Sequence, residues 1–289
     1  MARKVIKRRA LNRSYGGDAA IYIFLLICGL FIALPMVFAI SNSLKPLNEF
    51  WVFPPRFFVK HPTFDNFVDM FNLLDLSWVP FSRYVFNTVM ISLIGTAGHV
   101  LLASMCAFAF AKYSFRGSKL LFQIVVLALM FNTTVTAIPN FIIMSRLHWV
   151  DTYFAVIVPT FAGSLGLYLM KQFMETMIPD SLIEAAEIDG ANKWYIFWKI
   201  AMPNVRPAWL TLIVFTFQGL WNQGSTVYIQ SEQLKTINYA LSQIMAGGSI
   251  ARAGAGAAAT VVMMLPPMIV FMLTQSNIVA TMATSGMKD

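Results

Sequence analysis

The sequence predicts an all-α, polytopic membrane protein with six transmembrane helices, and three observations carry that prediction. Of 289 residues, 58% are hydrophobic and only 12% are charged, against about a quarter charged in a soluble domain. Uncharged stretches of membrane-crossing length recur six times along the chain. A helix crossing a ~30 Å hydrocarbon core takes about 20 mainly apolar residues, because every backbone polar group must be bonded within its own segment. Lys and Arg then gather in the tail and loops of one side, the asymmetry that sets orientation.

In chain order the predicted spans cover 19–44, 84–111, 120–145, 152–170, 207–230 and 253–287. Pro35, Pro159, Pro266 and Pro267 fall inside them and predict kinks rather than breaks, since neighbouring helices can satisfy the freed carbonyls. The N-terminal tail MARKVIKRR is followed by a run too long for a signal peptide, without a small-residue cleavage site, so no cleavage is expected. Six spans put both termini, loop 112–119 and loop 171–206 on one side, with 14 of the 21 Lys and Arg residues. That side is expected to be the cytoplasm. The net charge of +8 is accounted for by these flanks and calls for no nucleic acid. Cys28 and Cys106 lie within spans and suggest neither a disulfide nor a metal site.

The loop 42–83, with FPPRFFVKHPTFDNF, predicts extended pieces and a short interfacial helix. In AGGSIARAGAGAAAT, Ala253 and Ala257 have the spacing of close helix packing. No internal repeat is found, and residues 1–289 are taken as one membrane domain.

The stretch EAAEIDGANKWYIFWKIAMP, residues 184–203, concentrates charge and aromatic surface between apolar runs. Ser181 with Glu184 three residues on predicts a capping box. Gly190 permits a left-handed helix end, and Asn192 can cap a second helix that must stop before Pro203. That second helix carries Trp194, Tyr195, Phe197 and Trp198, more aromatic surface than a solvated loop leaves uncovered. An amphipathic helix on the inner leaflet, with Lys193 and Lys199 at headgroups, would be the simplest cover; Glu187 and Asp189 oppose it in the first helix.

Glu184, Ala185, Ala186, Gly190, Ile200 and Pro203 reproduce the pattern E-A-A-x3-G-x9-I-x-L-P, with Met202 where Leu is usual, and Asp189, Ala191 and Phe197 match its common form. The chain thus resembles the binding-protein-dependent ABC importer permeases. FPP before TFDNF, Trp221-Asn222 and the terminal TMATSGMKD are similar to the maltose-type carbohydrate branch. QSNIVATMATSGMKD resembles members serving oligosaccharides from plant or algal polysaccharides, whereas Gln223-Gly224-Ser225 departs from the maltose pattern. The resemblance implies a bacterial inner-membrane subunit with no cofactor of its own. It also implies a homologous second permease, an extracytoplasmic sugar-binding protein, and two ATPase subunits that bind ATP and Mg and dock on residues 184–203. Its coupling residues would be Glu184, Ala185, Ala186, Asp189, Gly190, Phe197, Ile200 and Pro203.

The chain has no phosphate-binding G-x4-G-K-[ST], and neither H-E-x-x-H nor G-x-S-x-G, so neither ATP hydrolysis nor those hydrolytic mechanisms is expected of it. No carboxylate lies within a span, which disfavours proton coupling. His99 is read as pairing with a carbonyl between helices, a relay or substrate contact being the alternative. Asn132, Thr133 and Thr134 in the third span, and Gln218, Trp221, Asn222 and Gln223 in the fifth, could bond other helices or line a sugar pathway, where a ring face meets C–H surface and amides meet hydroxyls. A permease for another solute, a membrane enzyme and an assembly factor are the alternatives.

Overall fold

The computed structural model describes residues 15–75, 78–131, 133–224, 227–246 and 252–285. Among them the chain is helical and contains no strand. It opens with α1 (Tyr15–Ser43), whose 29 residues exceed the hydrocarbon thickness at ~1.5 Å per residue. Two short helices, α2 (Leu47–Phe50) and α3 (Asp65–Asp75), occupy the following loop. The central helix is α4 (Phe81–Lys112). Then come α5 (Ser118–Ala128), α6 (Thr133–Arg146), α7 (Phe154–Phe161) and α8 (Ser164–Met177). After α9 (Asp180–Ile188), a rod is formed by α10 (Lys193–Tyr195), a π-helical turn (Ile196–Ala201) and α11 (Met202–Asn204). The chain finishes with α12 (Arg206–Trp221), a 3-10 turn (Glu232–Leu234), α13 (Ile237–Ala246) and α14 (Ala253–Ser285).

Helix α4 packs against α7, α8 and α12, while α14 packs against α1, α3 and α12. Small residues allow this: Gly254, Ala255, Ala258 and Ala259 are buried, and a Cβ at Gly254 would collide with Asn66 Oδ1. The close-packed positions are therefore not Ala253, which is exposed, or Ala257, which is half-buried. Asn66 itself is buried, donating to the carbonyls of Ser43 (2.8 Å) and Lys45 (2.7 Å).

Among the described residues, four segments are long and apolar enough to cross a membrane: Gly16–Ser43, Phe81–Lys112, Phe154–Met177 and Ala253–Gln275. A fifth arises if Lys193–Asn204 and Arg206–Trp221, bent by 80°, count as one. This corrects the expected set in three places. The run 120–145 is two helices rather than one kinked span, because α5 ends at Ala128 and α6 starts at Thr133. The 207–230 run stops as helix at Trp221, beyond which the Asn222 amide bonds back to Gln218 O at 3.1 Å. The 152–170 span keeps its expected interruption near Pro159, as a turn at Ala162–Gly163, but runs beyond the expected end to Met177.

Candidate functional site: the loop between α8 and α12

Residues 178–206 stand on an apolar footing. Ile178, Ile183, Ile196, Phe197, Ala201 and Val205 are buried in one cluster with Ala103, Ala107 and Phe108 of α4 and Met170 and Met174 of α8. Burying each large side chain contributes roughly 1.5–3 kcal/mol, so this loop is fixed to the helical body. Phe197 rests on Phe108 with ring centroids 5.6 Å apart. Among the expected coupling residues, Phe197 therefore faces inward and supports the loop instead of presenting surface.

The entry to α9 differs from the capping-box expectation. Pro179, with φ −63° and ψ 140°, precedes the first turn, and no side chain caps it. Asp180 is instead paired with Lys112 at 2.7 Å, and the same ammonium donates to Ile178 O at 2.5 Å. Ser181 thus falls inside the first turn, because proline already supplies the extended backbone that a cap position needs.

The far end of α9 follows the sequence expectation. Gly190 has φ +80°. Its amide bonds to Glu187 O and that of Ala191 to Ala186 O, both at 3.0 Å. This pair is the Schellman arrangement, which satisfies the last carbonyls of a helix. Asn192 Oδ1 then accepts from the Tyr195 amide at 2.7 Å and starts the next helix.

Pro203 does not end that helix, contrary to expectation. The π-helical turn brings the Met202 amide to Phe197 O, five residues back, and Pro203 takes the N1/N2 place of α11, where no amide donor is required. The rod breaks two residues later at Val205, where α12 departs.

What remains uncovered is one face: Glu184, Ala185, Asp189 and Gly190 from α9 and its turn, and Trp194, Tyr195 and Trp198 from the rod. Ile188 is 86% exposed at its centre. Ala186 and Ile200 are half-buried and Pro203 is exposed. Behind this face, a cleft of about 720 Å³ is lined by Lys112, Tyr113, Lys119, Lys171, Glu184 and Glu187. The Tyr113 hydroxyl points to Glu187 Oε1 at 3.4 Å, and burial, then the nearby carboxylate, raises the phenol above its ordinary pKa. Lys193 lies 4.5 Å from the Tyr113 ring centroid. Sequence reading missed Lys112 and Tyr113; the available signal was a Lys-Tyr pair closing an apolar run.

The expected pathway residues are dispersed. Asn132 lies outside the described residues, and Thr133 is placed only as the first residue of α6. Trp221 is 5% exposed, stacks on Phe217 at 5.7 Å, and donates its indole N–H to Met263 O at 2.9 Å. Gln218 and Asn222 are exposed, and the Asn222 carbonyl accepts from the Asn238 amide. Gln223 alone of the four lines a second groove, about 390 Å³, together with His99, Thr160, Thr216 and mainly apolar neighbours. Thr160 and Thr216 were missed, being single hydroxyls in apolar runs. His99 is buried, with Nδ1 3.4 Å from Phe161 O. Among the described residues no group of three or more His, Cys, Asp or Glu could hold a metal ion.

Residues 99–284 match the family model described as the binding-protein-dependent transport system inner membrane component. The chain is 29% identical over 272 residues to the arabinooligosaccharides transport system permease protein AraQ of Halalkalibacterium halodurans, covering 89% of this chain and 93% of the relative. It is 31% identical to the polygalacturonan/rhamnogalacturonan transport system permease protein YtcP of Bacillus subtilis, covering 79% and 78%. A chain from the crystal structure of a bacterial ABC transporter involved in import of the acidic polysaccharide alginate superposes with a TM-score of 0.75 at 21% identity, covering 92% of this chain and 99% of the other, and so shares its fold. The uncovered loop, the helical membrane body and the match over most of the chain converge: this protein belongs to the family of binding-protein-dependent transport system inner membrane components, as a permease subunit and not an enzyme.

Proposed function

We propose that this chain forms half of the pore of an ATP-driven importer for oligosaccharides released from plant or algal polysaccharides, beside a homologous second permease. The observation that carries the reading is the exposed Ile188–Trp194–Tyr195 face, held rigid by the buried Ile183–Ile196–Phe197 underside. Such a face needs a partner, and an ATPase subunit docking there would pass its closure into α4 and α8 through the shared core. Each of two ATPases binds ATP and Mg, while this chain binds neither. An extracytoplasmic sugar-binding protein delivers the solute at the opposite side.

In this reading α5 and α6 together make a broken third span and α12 makes the fifth, giving six crossings. Both termini and the α8–α12 loop face the cytoplasm of a bacterial cell, in keeping with the Lys and Arg asymmetry. The groove at His99, Thr160, Thr216 and Gln223 is the stretch of pathway wall on this subunit, offering amide and hydroxyl partners beside apolar surface. Relatives named for arabinooligosaccharides and polygalacturonan support the substrate class. The test is purification of the chain with its bound subunits, reconstitution with the cognate binding protein, and measurement of ATP hydrolysis against a panel of solutes. Plant or algal oligosaccharides should raise hydrolysis severalfold; stimulation by amino acids or peptides alone would contradict the substrate assignment.

A further inference from the structure

The segment after α1 does not simply leave the membrane. It turns back along the helix that it has just left. Ser41 Oγ donates to Phe57 O at 2.7 Å and accepts from the Val59 amide at 3.1 Å. Buried Lys45 donates to Arg56 O at 2.5 Å and Asn42 Oδ1 at 2.6 Å, and Thr63 N meets Leu44 O at 2.9 Å. The Phe57 ring lies 5.3 Å from that of Phe38. Phe38 is five residues before the end of α1, about 8 Å down the helix axis at 1.5 Å per residue. Gly16–Ser43 is long and apolar enough to cross a membrane, and with α1 in the bilayer this hook reaches the interface of the leaflet in which α1 ends.

Its outward side chains suit that depth. Trp51 is 65% exposed, Phe53 91% and Phe58 68%. Between 51 and 62 the ionised residues are Arg56 and Lys60, both exposed, with no carboxylate; across 64–75 they are Asp65, Asp69 and Asp75, with no cation. Glu49, the nearest acid before the hook, is engaged in accepting the amides of Lys60 (3.1 Å) and His61 (2.9 Å). Aromatic rings beside Arg and Lys match the headgroup boundary, where rings sit among acyl chains and cations meet phosphate. We propose that residues 51–60 are an interfacial anchor that inserts Trp51, Phe53 and Phe58 into the leaflet and sets Arg56 and Lys60 against anionic phospholipid.

Nitroxide labels report this directly. In the full chain with its co-purifying subunits, Cys28→Ser and Cys106→Ser remove the native thiols, and Phe53→Cys or Asp69→Cys receives the label. In nanodiscs containing phosphatidylglycerol, the label at 53 should show an oxygen-to-nickel-chelate accessibility ratio severalfold above that at 69. A ratio at 53 equal to that at 69 overturns the proposal. So does a water-accessible label at 53 that becomes shielded only when a binding protein is added, which would make the patch a protein contact. Should the thiol-free background fail to fold, Trp51 serves instead: tryptophan emission of the otherwise native protein should be quenched by lipids brominated near the headgroup, and Trp51→Phe should lose that component. Equal quenching of both proteins rejects the anchor.

Discussion

Lys112, closing α4, is joined to Asp180, opening α9, at 2.7 Å, the ammonium side chain being 3% exposed and the carboxylate 79%. This pair links the exposed loop to the central helix of the membrane body. Lys112→Met keeps the buried stem but leaves Ile178 O without its donor. A loss of about 1–2 kcal/mol is expected, set by the unsatisfied carbonyl rather than by the solvent-screened ion pair. Thermal unfolding should show that small change, while solute-stimulated ATP hydrolysis falls severalfold and basal hydrolysis persists. Unaltered stimulation would mean that force passes elsewhere.

Gly190 gives a cleaner test, because a Cβ there would meet nothing within 4 Å. Any effect of substitution is then backbone strain at φ +80°. Gly190→Asn should be tolerated and Gly190→Ala should cost about 1 kcal/mol, with Gly190→Val worse because its side chain is β-branched. Retention of the ATPase through purification should fall in that order. Equal retention in all three would separate the turn from docking.

The turn at Gly190 and the cap at Asn192 were legible in the sequence because both depend on local backbone chemistry. Their helix directions were not equally legible. The run stays uncharged on both sides of Trp221, so the lack of charge could not show that the helix stops there, nor that the indole points to Met263 on α14. Phe197 likewise matched a docking pattern but is buried against Phe108, a contact made by a helix nearly ninety residues earlier. Ser181 lost the cap to Pro179 because Lys112, also distant in sequence, holds Asp180.

Trp221 consequently carries a revised expectation. A buried indole stacked on Phe217 should make Trp221→Ala cost about 3–5 kcal/mol, seen as lower yield and a lower melting temperature before any transport effect. Trp221→Phe should cost less, about 1–3 kcal/mol, from the hydrogen bond lost at Met263 O and the part of the indole that phenyl does not replace. If Trp221→Ala melts normally but no longer transports, the residue meets solute after all.

Asp151 anchors the segment after α12. Its carboxylate accepts from the Ser231 hydroxyl and from the amides of Ser231 (2.8 Å) and Gln230 (3.0 Å). The Ser231 hydrogen bonds lower its pKa below the usual carboxylate value. With the folded pKa below the unfolded one, this contribution is fully present above about pH 4 and is lost as pH falls through the folded value. Melting temperature should therefore drop below about pH 4 by more in the native protein than in Asp151→Asn. Parallel curves would show that the carboxylate adds nothing.

The most direct test concerns what covers the face around Ile188, the most exposed apolar side chain of the loop. A photoreactive p-benzoylphenylalanine placed at Ile188 in cells, irradiated and analysed by mass spectrometry, reports its neighbour within one side-chain length. The expected result is a single prominent adduct with an ATPase subunit, lost when Gly190→Val is added. Adducts with lipid alone, in cells that still import oligosaccharide at the normal rate, would contradict docking of the ATPase on this loop.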